Sequence, residues 1–84
     1  MNMFLKLTQV GENEHGVNNK ILINTDNIVY IEESNMYGGS SIVSLKLGER
    51  NLDIVVKDKL DDIIELMKSG NRMIIEENGK MTLV

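Results

Sequence analysis

The chain has 84 residues, a formal net charge of −4, no cysteine and one histidine, His15. A chain of that length encloses one core and buries roughly 60–70% of its unfolded surface, so it folds with a thin margin. Disulfides are excluded and a structural zinc site lacks its usual ligands, which leaves self-association as the compensation. The acidic balance works against nucleic acid and anionic membrane surfaces, since both demand a basic face. Met1 to Val10 is too polar and too short for a secretory leader, and no apolar run approaches the ~20 residues of a spanning helix. A cytoplasmic protein is expected.

In chain order, Met3 to Thr8 alternates Met3, Leu5 and Leu7 against Phe4, Lys6 and Thr8, the period of a strand. Gln9 to Asn19 has no periodicity and reads as a loop. Lys20 to Asn24 is a second short strand, and Asn24, Thr25, Asp26 and Asn27 make a turn because their side chains compete for backbone hydrogen bonds. Ile28 to Glu33 is a third strand, with Ile28 and Tyr30 on one face and Val29 and Ile31 on the other.

Ser34 to Ser40 breaks the pattern with the pair Gly38-Gly39 and reads as a loop. Ile42 to Leu47 alternates Val43, Leu45 and Leu47 inward against Ser44 and Lys46 outward. Gly48 to Asn51 fits a tight reversal into a strand from Leu52 to Val56, on which Leu52, Ile54 and Val56 share a face. Asp58 then suits an N-cap, Asp61 and Asp62 lie where the helix dipole favours acids, and Leu60, Ile63, Ile64 and Met67 form one apolar stripe. Burying that stripe contributes at most about 6–12 kcal/mol, comparable to the stability of the whole domain. Lys68 and then Gly70 mark the helix end. Asn78-Gly79 is the preferred pair of a type I′ hairpin, which sets Glu77 opposite Lys80, Ile74 opposite Leu83 and Met73 opposite Val84.

Groups with chemical potential are few. Glu32 and Glu33 are strand neighbours and point to opposite faces, so they do not converge as an acid/base pair. Asp58, Asp61 and Asp62 are better read as caps than as a cation site, because a helix N-terminus repels cations. His15 lies with Glu12 and Glu14 in a loop without a nucleophilic partner. Gly38-Gly39 is followed by no Lys-Ser/Thr, so it is no phosphate loop. No catalytic, cofactor or metal residues are assigned, and a non-enzyme is expected. Met36 and Tyr37 in the glycine-flanked loop, and Met73, Ile74, Ile75, Met81 and Leu83 in the terminal hairpin, form the candidate interaction surface.

The segments FLKLTQ, KILINTDNIVYIEE and SIVSLKLGERNLDIVVKDKLDDIIELM resemble the small flagellar FlbD-type proteins. The matching positions are Leu7, Thr8, Ile23, Asn24, Asp26, Ile28, Ile31, Glu32, Val43, Leu45, Gly48, Val56, Ile63 and Ile64. The resemblance implies a small β-rich fold and a non-enzymatic role. The segment INTDNIVYIEESN is similar to the early strands of LytTR-type DNA-binding domains, which implies loops in the major groove with Lys and Arg on phosphates. Between Glu32 and Ser44, however, there is no Lys or Arg.

The expectation is an α+β chain of one domain: a mostly antiparallel, bent sheet or small barrel of five strands, one helix packed on it, and a C-terminal hairpin. The expected function is a non-catalytic binding or assembly module that self-associates, its hairpin serving as an oligomerisation arm. The alternative is a LytTR-like transcriptional regulator. A homo-oligomer or a protein partner is expected, with no cofactor and no membrane.

Overall fold

A computed structural model describes residues 3–11, 19–35, 39–70 and 74–83. Strands β1 (Phe4–Gln9), β2 (Asn19–Asn24), β3 (Ile28–Glu33), β4 (Ser41–Leu47) and β5 (Arg50–Val56) precede helix α1 (Leu60–Ser69), and β6 (Ile74–Glu77) and β7 (Lys80–Leu83) follow it. All seven strands join one antiparallel sheet in the order β2-β1-β5-β4-β3-β7-β6. The hairpin is therefore part of the sheet: β7 pairs with β3, Ile31 opposite Met81. Among the described residues the sheet is open, with β2 and β6 as its edges.

The helix covers one face. Its stripe of Leu60, Ile63, Ile64 and Met67 is buried with Leu5, Leu7, Ile23, Ile28, Ile31, Val43, Leu45, Val56 and Met81. Leu47, expected inward, and Leu52, expected on the face of Ile54 and Val56, are about half exposed at 46% and 47%. They lie at the turn end of the β4–β5 pair, where Gly48 takes the positive φ of 66° that a two-residue reversal needs at its first central position. Ser44 lies on the face opposite Val43 and Leu45, as expected, yet is buried at 6% exposure.

Strand β3 departs from simple alternation. Ile28 pairs with Leu45 while Tyr30 pairs with Ser44, so β3 carries one extra residue there. That bulge re-aims the chain: Ile28 and Ile31 both enter the core, and Val29 and not Ile31 is exposed. The expected face of Ile28 and Tyr30 is corrected accordingly.

Asp58 is not the helix cap. Lys59 occupies the N-cap position with no side-chain capping bond. The Asp58 carboxylate instead accepts the Thr8 backbone N–H at 2.7 Å, and its carbonyl accepts the Ser41 hydroxyl at 2.8 Å. Together with Lys57 N–H to Thr8 C=O (2.8 Å) and Val10 N–H to Val55 C=O (3.0 Å), this clasp joins β1 to the β5–α1 connection. Beyond it the two strands diverge, since Gln9 opposite Val56 is their one ladder pair. At the far end of α1, Gly70 has φ −90° and so is not a left-handed cap. A Cβ there would overlap only the flexible tip of the Met3 side chain.

Candidate interaction surface

The two-residue reversal Asn78-Gly79 has φ of 53° and 74°, the pair of positive values that defines a type I′ turn. Residues directly opposite in an antiparallel ladder share a face. The registers therefore line up Glu32, Lys80 and Glu77 in one row across β3, β7 and β6, and Tyr30, Thr82 and Ile75 in the next. On the other side of β3 these rows continue through Ile42 to Val55 and through Ser44 to Asp53. This is the face that α1 leaves uncovered.

Lys80 holds the middle of the acidic row. Its Nζ lies 4.1 Å from the centroid of the Tyr30 ring, within cation–π range, so the ammonium sits over an aromatic face while Glu32 and Glu77 hold the neighbouring ladder positions. Glu32, Ile75, Glu77, Asn78, Lys80 and Thr82 line an open concavity of about 490 Å³ on this face. A second, of about 250 Å³, lies between the β3 end and the start of α1, where Glu33, Ser34, Ser40, Lys59 and Asp61 contribute. Both linings are mainly polar and charged. Among the described residues no group of three or more His, Asp or Glu comes together, and no helix is long and apolar enough to cross a membrane.

The seven residues of the expected surface divide. Met36, Tyr37 and Met73 lie outside the described residues, as do Glu12, Glu14, His15 and Gly38. Ile75 is 55% exposed on the uncovered face. Ile74 and Leu83 pack partly buried against the core. Met81 is fully buried and must be withdrawn from the surface: it faces Ile31 across the β3–β7 ladder and completes the core. Glu32 lies on the uncovered face and Glu33 at the strand end, where its N–H donates to the Gly79 carbonyl at 2.8 Å.

Sequence reasoning passed over the opposite edge. Phe4 and Leu22 are 58% and 70% exposed, on the outer face of the β1–β2 ribbon. The signal for Phe4 was present, because it alternates with Lys6 and Thr8 on the polar side of its strand. Leu22 gave none, flanked as it is by Ile21 and Ile23. Lys20 shares that face, where its Nζ donates to the Thr8 hydroxyl at 2.6 Å. No family model matches the chain, and no curated protein or solved structure matches it either.

Proposed function

We propose that this chain is a non-catalytic binding and assembly module of the cytoplasm that works by associating with further copies of itself. The observation that carries this reading is the uncovered sheet face, which leaves Phe4, Leu22 and Ile75 more than half exposed at its two outer ribbons. Exposed apolar groups clustered at open strand edges are costly in water and are relieved when another strand or face covers them. The likeness to the FlbD-type proteins points the same way, since that family implies a non-enzymatic role. The DNA-binding alternative gains nothing from the hairpin, whose outer face sets Glu32 and Glu77 on both sides of Lys80.

Removing the hairpin is a poor test, because Met81 belongs to the core and its loss would unfold the chain. Sedimentation equilibrium on the full chain is the direct measurement. A mass that rises with concentration is expected, and a constant monomer mass up to the millimolar range refutes self-association.

A further inference from the structure

We infer that two copies of this chain join at β2, in an antiparallel, two-fold contact that sets Leu22 against Leu22 of the second copy. The inference rests on the self-association proposed above and names its surface. The hydrogen-bond pattern identifies which peptide groups are free. Thr25 N–H donates to the Met3 carbonyl at 2.9 Å, so Met3 and Thr25 form a hydrogen-bonded pair at the end of the β1–β2 ladder. Such pairs alternate along an antiparallel ladder, which assigns Leu5 with Ile23 and Leu7 with Ile21 to the same class. The peptide groups of Lys20 and Leu22 therefore point away from β1, into the open edge.

Both edges of the sheet present such groups, and they are not equally guarded. On β6 the same reasoning leaves Ile74 and Glu76 facing outward, since Lys80 and Thr82 of β7 turn toward β6. That edge is four residues long and half of it is Glu76 and Glu77, the charged kind of strand that resists further pairing. β2 has six residues and no acid, and its one charge, Lys20, is drawn back over β1 to Thr8. Leu22, at 70% the most exposed large apolar side chain among the described residues, stands there opposite Lys6, with Phe4 diagonal to it on the same face of β1.

Charge permits this meeting point. Each chain carries −4, yet the β1–β2 ribbon contains no Asp or Glu and has Lys6 and Lys20 as its charges, so the overall acidity does not oppose contact there. The two Lys6 residues would stand three strand spacings apart, about 14 Å. With Leu22 opposite its equivalent, Lys20 falls opposite Asn24 of the other copy. The two Lys20 residues are then offset by four positions, about 13 Å, beyond the screening length at 0.1 M salt. Leu22, Phe4 and their equivalents form a diagonal apolar stripe across the junction. A six-residue edge spans about 20 Å and covers less than the ~1,200 Å² of stable complexes, so the contact is a weak, two-fold dimer.

The test is sedimentation equilibrium of the full chain from about 5 µM to about 1 mM, the range of a micromolar contact. Three single variants accompany it: Leu22→Lys, Leu22→Thr, and Ile75→Lys on the opposite edge, each checked for native circular dichroism. The expected result is a monomer–dimer equilibrium that Leu22→Lys weakens about tenfold or more, Leu22→Thr weakens less, and Ile75→Lys leaves unchanged. A dimer insensitive to both Leu22 variants, or one abolished by Ile75→Lys, overturns the β2 contact while keeping self-association. Growth beyond a dimer also overturns it, because head-to-tail joining of unlike edges does not close. A monomer throughout removes both proposals together.

Discussion

The two ribbons that flank the central strands β5, β4 and β3 are built alike and fastened differently. The β6–β7 hairpin is held by its backbone, through a ladder to β3, and contributes one fully buried side chain, Met81. The β1–β2 ribbon contributes Leu5, Leu7 and Ile23 to the core yet shares only one ladder pair with β5. Its attachment comes from packing and from the short clasp, in which the Asp58 carboxylate accepts the Thr8 N–H beside two backbone bonds, Lys57 N–H to Thr8 C=O and Val10 N–H to Val55 C=O. The difference shows that an antiparallel sheet is continued either by register or by a clasp, and that the clasp leaves an edge free to diverge.

Substitutions separate the two modes. The largest effect is expected from Met81→Ala, at about 2–5 kcal/mol of lost stability in urea unfolding, because a buried methionine leaves a cavity. A loss well under that figure would show the hairpin to be an external arm after all. Asp58→Ala should come next, at about 1.5–3 kcal/mol, since it removes a charge-assisted bond and strands a partly buried N–H. Amide exchange at Thr8 is the local readout, and unchanged protection there would mean that packing alone holds β1. Gly79→Ala should cost about 1–2 kcal/mol, for a side chain at φ 74° is strained and would press on the Glu33 carboxylate. The smallest change is expected from Lys80→Gln, about 0.5–1 kcal/mol, which measures the cation–π contact on Tyr30. Salt titration of that variant against the parent distinguishes the ring contact from the flanking glutamates.

Much of this was legible from the residues. The stripe Leu60, Ile63, Ile64 and Met67 was readable because helical period needs only local spacing, and all four are buried. The terminal hairpin was readable because Asn78-Gly79 demands two positive φ values. The pairing of β7 with β3, and hence the burial of Met81, was not, because no local pattern says which distant strand a hairpin joins. Asp58 looked like a cap since helix starts favour acids, but its carboxylate found a stronger partner in another strand. The bulge in β3 hid Ile31 from an alternation rule that allows no extra residue. The open edge at Leu22 was hidden for the opposite reason: in an unbroken apolar run, only the register tells which side chain is left outside.

The clasp at Asp58 also bears on the order of folding. The β3–β4–β5 meander pairs through short reversals, whereas Thr8 and Asp58 are separated by 50 residues and must close a long loop before they meet. We expect this contact to close after the rate-limiting barrier, so that its loss speeds unfolding and leaves the refolding rate nearly unchanged. Stopped-flow chevrons of Asp58→Ala should show this as a raised unfolding arm over an unmoved refolding arm. That outcome would make the bond a determinant of how long the finished molecule lasts and not of how fast it is made.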